Sequence, residues 1–140
     1  MKKKNGVSRG LRNHNPLNIR RSNTQWKGMA ERQDDGAFVS FVSNAWGYRA
    51  AFRVLHTYMV KYGLRNIEDI VSRWAPPTEN HTRAYIDTVS KLSGIGSRVN
   101  LYVTNKEDMV KVVMAMAQVE NGVAANKWEV EEGYRLAFGF

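Results

Sequence analysis

The sequence of 140 residues contains no cysteine, which excludes a disulfide framework and any metal site built on thiolates. Its three histidines, His14, His56 and His81, are scattered along the chain. No motif with metal-ligand spacing, such as HExxH or an EF-hand loop, is present. A phosphate-binding loop and a dinucleotide fingerprint are missing as well. The sequence therefore gives no indication of a bound metal or an organic cofactor.

Long apolar runs are also missing, and none approaches the roughly 18 residues that a membrane span needs. The basic start, MKKKNGVSRG, is not followed by an apolar segment, so we expect neither a membrane span nor a secretory signal. A protein made in the cytoplasm and acting outside it would need another route of delivery.

Acidic residues are few, 13 against 21 lysines and arginines, and the formal net charge is +8. Such a surplus favours an anionic partner, which could be nucleic acid, anionic lipid or bacterial cell wall. Much of the charge precedes residue 22, and we interpret residues 1–12 as a flexible basic arm, which could equally serve only solubility. No helix shows a basic recognition face, so nucleic acid ranks last among these partners.

Hydrophobic residues make up 43% of the chain, enough for one core, and we expect one domain over residues 1–140. The predicted class is α+β, mostly helical with a small β-hairpin near the N-terminus. The turn signal RQDDG places this hairpin at 26–43. Periodicity and capping signals predict the helices that follow: from Asn44 to Gly63, from Asn66 to the prolines, from near Thr78 or Asn80 to SGIG, from a capping box of Thr104 and Glu107 to Gly122, and a short one in the tail.

Glu120 stands out in the segment VVMAMAQVENG (112–122). The residues that share its helical face, Val113, Met116 and Ala117, are all apolar. A carboxyl group in apolar surroundings has a raised pKa, and the negative end of the helix dipole acts in the same direction. A protonated glutamic acid is the general acid that glycosidases use. The alternative is a frayed helix end with Glu120 in water.

The segment RWAPPTENHTRAYIDTV (73–89) contains four candidate binding residues. Trp74 could pack its ring on a sugar, while Glu79, Asn80 and Tyr85 provide polar groups nearby. Alternatively, the two aromatic residues belong to the core and the polar ones cap the next helix. Glu79 is a weaker candidate acid than Glu120, since its charged form is favoured near a helix N-terminus.

The segment RGLRNHNPLNIRRS (9–22) is a polar loop with several asparagines and one proline. Asn15 and Asn18 could line a cleft with amide donors and acceptors. Asparagine is also simply a good turn former, and the spacing does not separate these interpretations.

Taken together, these segments resemble a family of small proteins of bacteriophages, prophages and their hosts. Its members open with R-G-I-R-N-N-N-P-G-N-I-R and continue with F-x-x-F, G-x-R-A, W-A-P-x-x-E-N-x-T-x-x-Y and A-x-x-x-x-E-N-G. The same elements occur here in that order. His14 replaces an asparagine, and Leu17 replaces the glycine of N-P-G-N, which changes the backbone freedom of the loop.

The resemblance implies a lysozyme-like fold. The segment ENHTRAYIDTV is similar to the E-T-R-x-Y-V segment that closes lytic transglycosylase domains, and MAQVENG looks like the stretch that bears their catalytic glutamate. The two occur in the opposite order here, which suggests a circular permutation, physically possible where termini lie close together.

The expected function is therefore cleavage of bacterial peptidoglycan, by a muramidase or a lytic transglycosylase that a virion or a holin delivers to the wall. Glu120 would be the general acid. Trp74, Glu79, Asn80, Tyr85, Asn15 and Asn18 would line or brace the cleft. A hydrolase needs a second carboxylate, for which Glu31, Asp34 and Asp35 are available. The alternative is a non-catalytic virion protein that binds cell wall or other virion proteins.

Overall fold

The computed structural model describes residues 3–4, 6–77 and 81–140. Within these ranges the chain is mostly helical, as predicted, and β-structure is confined to its first half. The elements are β1 (Lys3–Lys4), β2 (Val7–Ser8), α1 (Arg9–Arg12), α2 (Asn44–Val60), α3 (Ile67–Trp74), α4 (Thr82–Ser93), α5 (Lys106–Asn121) and α6 (Lys127–Phe138). The short strands β1 and β2 pair antiparallel.

Local capping chemistry sets the helix ends. The side chains of Asn66, Asn105 and Asn126 accept hydrogen bonds from the backbone three residues on and so begin α3, α5 and α6. Left-handed glycines, Gly94 and Gly122 among them, end α4 and α5. The predicted capping box of Thr104 and Glu107 is wrong by one residue, because the N-cap is Asn105, whose side-chain oxygen accepts from Asp108 N.

The buried apolar side chains form one continuous core, to which α2 to α6 all contribute. Helix α2 packs along α6, and α5 packs against both α4 and α6. Phe52, Tyr134 and Phe138 meet edge to face at the α2–α6 contact, with ring centroids 4.8 to 6.2 Å apart. This core fixes the C-terminal end of α5 next to the N-terminal loop.

The predicted hairpin at 26–43 is formed in part: its two arms pair antiparallel at Met29 and Phe41, and its second arm also pairs with Arg20, which was not predicted. Residues 37–42 are extended, but they bond alternately to two segments through isolated bridges, Arg20 with Phe38 and Met29 with Phe41. Val39 N–H donates to Ile19 O at 3.0 Å, and Ala30 N–H donates to Ser40 O at 2.9 Å. The β-element is therefore a bridge between two stretches of the N-terminal loop.

The interpretation of residues 1–12 as a flexible arm is wrong for residues 8–12, since they pack into the fold. Ser8 is 1% exposed, and its hydroxyl donates to the Asn121 side chain at 2.6 Å. The same hydroxyl accepts from Leu11 N and caps α1. None of the helices in the described ranges has the length and apolar character needed to cross a bilayer.

Gly133 sets how closely α6 approaches α2. A Cβ on this residue would lie 2.5 Å from Tyr48 Cβ and 3.0 Å from Ala45 O, closer than packed atoms approach. We predict that Gly133→Ala destabilises the protein by about 1–2 kcal/mol, because overpacking outweighs the better helix propensity of alanine. Urea unfolding measures the change.

Gly36→Ala is the matched control, since a Cβ there meets nothing within 4 Å and the backbone is not left-handed. Equal stability of Gly133→Ala and the wild type would contradict the close α2–α6 contact.

Candidate active site

Glu120 lies in the last turn of α5, before the left-handed Gly122 that ends the helix. Val113, Met116 and Ala117 on its own face are each buried to within 1%. The helix stays regular through Asn121, and Glu120 is half-buried. The alternative of a frayed end with Glu120 in open water is therefore wrong.

Three side chains from separate segments bond to the Glu120 carboxylate. Asn18 Nδ2 donates to Oε1 at 2.8 Å, and the Tyr85 hydroxyl donates to Oε2 at 2.9 Å. The Trp74 side chain, whose only donor is its indole N–H, forms a third hydrogen bond. The N-terminal loop, the end of α3 and the start of α4 thus converge on one carboxyl group.

Burial raises the pKa of the Glu120 carboxyl above its ordinary value. The hydrogen bonds from Asn18, Tyr85 and Trp74 lower the pKa, since they stabilise the charged form, but burial outweighs them. Glu120 consequently keeps its proton to a higher pH than an exposed glutamate does.

Asn15 shapes the loop that holds Asn18. Its side chain has no exposed surface and bonds only to backbone, donating to Ile19 O at 2.9 Å and Val39 O at 2.8 Å and accepting from Ile19 N. The prediction that Asn15 contacts a ligand is therefore corrected, because its amide is fully used inside the loop. Asn15 has the bracing role instead.

The backbone of this loop passes through the left-handed region at His14 (φ 51°) and Asn18 (φ 54°). Asparagine tolerates this conformation better than most residues. Leu17, which stands where the resembling family has glycine, does not adopt a positive φ and is 1% exposed. Leucine at this position therefore anchors the loop to the core without backbone strain.

Asn121, which the sequence analysis did not single out, ties the same loop to α5. It is 2% exposed, and its Nδ2 donates to Pro16 O at 2.8 Å and Ala117 O at 2.9 Å. A Cβ on Gly10 would lie 2.7 Å from Asn121 Oδ1, so only glycine fits there. The one available signal was the position of Asn121 beside Glu120 in the E-N-G motif.

The sequence-predicted residues Asn18, Trp74 and Tyr85 thus meet at Glu120. Tyr85 is 8% exposed, so it offers its hydroxyl to Glu120 but little ring surface to a ligand. Trp74 is half-buried and contacts the Tyr58 ring, a residue that sequence reasoning missed. Glu79 and Asn80 lie outside the described residues.

The candidates for a second carboxylate differ in environment. Asp35 binds Arg9 through two bonds of 2.7 Å and accepts from Asn13 Nδ2 and from the backbone of Ala37 and Phe38. The Arg9 guanidinium, more than any other group, holds the Asp35 pKa far below its usual range. Asp35 is therefore a structural anion of the loop. Asp34 and Glu31 are exposed.

A groove of about 740 Å³ lies elsewhere, on the α5 face that Lys106, Lys111 and Gln118 share with residues 124–131. Its walls are mainly apolar, and Glu120 is not among the residues that line it. In the described ranges, no three His, Asp or Glu side chains gather into a group that could hold a metal ion. The convergence of polar groups on Glu120 therefore makes that position the candidate site.

No protein-family model matches the chain. Protein P5 of Pseudoalteromonas phage PM2 is 41% identical to it over 138 residues, which cover 96% of this chain and 84% of that protein. The chain belongs to the family of this phage protein. The match to P5 runs nearly end to end, so the matched region includes the segments that contribute Asn18, Trp74, Tyr85 and Glu120.

Asp35→Asn tests the loop that presents Asn18. We predict a clear loss of stability at pH 7, because the ion pair with Arg9 and the bonds to the backbone weaken together. The lowered Asp35 pKa stabilises the fold at pH values above the ordinary value of 3.8, and this contribution is lost as the pH falls through the folded-state pKa. The stability difference between variant and wild type should therefore shrink in strong acid.

Thermal unfolding at a series of pH values checks this expectation. Asp34→Asn is the matched control, because the Asp34 side chain is 72% exposed and forms an ion pair with Arg32, which is itself exposed. A deficit of Asp35→Asn that stays constant below pH 3, or an equal deficit in the control, would refute the assigned role.

Proposed function

We propose that this protein is a phage- or prophage-encoded glycosidase that cleaves bacterial peptidoglycan, with Glu120 as its general acid. The observation that carries the proposal is the Glu120 carboxyl, half-buried and bonded by Asn18, Tyr85 and Trp74. Burial favours the protonated form that a proton donor needs. The surplus of basic residues favours the anionic wall polymer.

In this mechanism Glu120 transfers its proton to the glycosidic oxygen as the bond between that oxygen and the sugar carbon breaks. The electron pair of the bond leaves with the oxygen, and positive charge develops on the sugar. The Glu120 carboxylate that remains accepts hydrogen bonds from Asn18 and Tyr85, which stabilise the new negative charge. Water or a hydroxyl of the same sugar then completes the reaction.

The state of the loop carboxylates favours the route through the sugar's own hydroxyl, as in a lytic transglycosylase. Asp35 is committed to Arg9 and the loop backbone. Asp34 and Glu31 are solvated. A lysozyme-like fold with permuted segment order is part of the proposal, and it would bring the segment of Tyr85 beside the glutamate despite its changed place in the chain.

A non-catalytic virion protein that binds cell wall or other virion proteins is the second candidate. The same three bonds favour it, because Glu120 joins three segments and this tie could serve only stability. It fits the relationship to a phage protein. The two candidates differ in whether the protein degrades purified cell wall and whether that degradation depends on the Glu120 carboxyl.

The deciding test is loss of turbidity of purified peptidoglycan with wild type and Glu120→Gln. Glutamine keeps the size but holds no transferable proton, and its single oxygen can accept only one of the two bonds that Asn18 and Tyr85 donate to separate carboxylate oxygens. We predict clearing by the wild type and a loss of at least about 100-fold in the variant, within the usual range for general acid catalysis. Product masses give the reaction: anhydro-muropeptides for a transglycosylase, reducing ends for a muramidase.

Glu107→Gln is the control, since it removes a 77% exposed carboxylate from the same helix. Folded Glu120→Gln that clears as fast as this control would refute the acid role. A wild type that clears no wall preparation would instead favour the non-catalytic candidate.

Tyr85→Phe gives a second, pH-dependent prediction. It removes the hydroxyl that lowers the Glu120 pKa, and the pKa should therefore rise further. Because a general acid works only while protonated, the alkaline limb of the pH–rate profile should move to higher pH. An unchanged limb, with clearing still measurable, would show that the Tyr85 hydroxyl does not act on the catalytic proton.

A further inference from the structure

Next to Glu120, a cluster of side chains extends outward from Trp74 at the end of α3. The Arg73 guanidinium carbon lies 4.3 Å from the centroid of the Tyr62 ring and 5.2 Å from that of Tyr58. The Tyr58 ring packs edge to face against Trp74 at 6.2 Å. These four side chains, here called the aromatic row, run from Trp74, which bonds to Glu120, out to Tyr62.

The outer end of the aromatic row is open to solvent. Arg73 is exposed, Tyr62 is 46% exposed and Tyr58 is half-buried. Contact with two rings holds the guanidinium in place through cation–π attraction. Because its side chain is already ordered, Arg73 loses little entropy when it binds a ligand.

Arg73 differs from two other arginines, Arg83 and Arg98, in its ion pairing. Arg83 and Arg98 both pair with Glu68 of the same helix α3, at 3.1 and 2.6 Å. Of the carboxylates that the structure describes, none forms an ion pair with Arg73. A planar guanidinium presents paired donors that match a carboxylate. The aromatic row therefore places an anion-binding group near the half-buried Trp74 ring.

We propose that Arg73, held between Tyr58 and Tyr62, binds a carboxylate carried by the glycan strand whose sugars reach Glu120 along Trp74. The inference rests on the proposed function and names the chemical feature that the site recognises. In glycan strands stripped of peptide, the carboxylate belongs to the lactyl group of muramic acid. In intact strands that group is amide-linked, and the carboxylates belong to the stem peptide. Chitin oligosaccharides have similar sugars and no carboxylate.

Calorimetric binding in the Glu120→Gln background tests this inference without turnover. The ligands are stripped glycan strands, intact strands and chitin oligosaccharides of matched length. We expect the carboxylated strands to bind roughly tenfold tighter than chitin oligosaccharides, the scale of one charge-assisted contact. Arg73→Gln should abolish this preference, and Arg73→Lys should restore part of it. Whichever strand loses affinity identifies the source of the carboxylate.

Arg98→Gln is the matched control, because it removes the same charge from a group that Glu68 already neutralises. Thermal unfolding verifies that each variant is folded. Equal losses for chitin and carboxylated strands in Arg73→Gln would overturn the inference, as would a control that loses the preference equally. If Arg73→Gln does not fold, Tyr62→Ala replaces it: loss of the exposed ring that holds Arg73 should weaken the preference for carboxylated strands, and an unchanged preference would overturn the inference.

The outcomes separate this inference from the proposed function. If the wild type clears cell walls and Arg73→Gln retains full carboxylate preference, only the inference fails. If no wall is cleared but the Arg73-dependent preference is present, the glycosidase fails and the binding site stands. An absence of binding to all three ligands overturns the inference whatever the clearing result.

Discussion

The junction between the N-terminal loop and the C-terminal end of α5 is the contact on which the site depends. Two consecutive residues, Glu120 and Asn121, contact this loop, and the two contacts have different effects. Asn121 is buried and fully bonded to Ser8, Pro16 and its own helix. Its amide holds the loop in place, which leaves the Glu120 carboxyl beside Asn18. The Asn121 contacts act together with the bonds of Asn15 inside the loop to set the distance between Asn18 and Glu120.

Asp35 of the loop and Glu120 of α5 show how the surroundings of a carboxyl group set its pKa. Asp35 and Glu120 are both removed from bulk water, yet their pKa values move in opposite directions. Asp35 faces a guanidinium and two backbone N–H groups, so its charge is stabilised. The described side chains that donate to Glu120 are neutral, and their hydrogen bonds do not offset its loss of hydration. The Asp35 anion organises the loop, while Glu120 keeps its proton to a higher pH than an exposed glutamate does.

Signals from neighbouring residues predicted most helices, but the loop depends on contacts between distant residues, which the sequence does not display. Asn66 and Gly122 mark helix ends through bonds within three or four residues, which a sequence displays directly. The segment 37–42 pairs with residues 28–30, as the turn signal predicts, and also with residues 19–21, a pairing that no local signal indicates. Asn15 and Asn18 look alike in sequence, but only the tertiary contacts show that one faces inward and the other faces Glu120. The half-buried position of Glu120 was predictable because an apolar helical stripe ends on this residue.

The sequence separation of the contacts at the site has a consequence for biosynthesis. Ser8 and Asn121 are 113 positions apart, and Asn18 and Glu120 are 102 apart. Closing such long loops is entropically unfavourable until the intervening helices have packed, so these bonds form late in folding. A nascent chain that has not yet reached residue 120 lacks both the Asn121 contacts to the loop and the Glu120 carboxyl. The site around Glu120 therefore cannot form until residues 120 and 121 have left the ribosome and packed against the N-terminal loop.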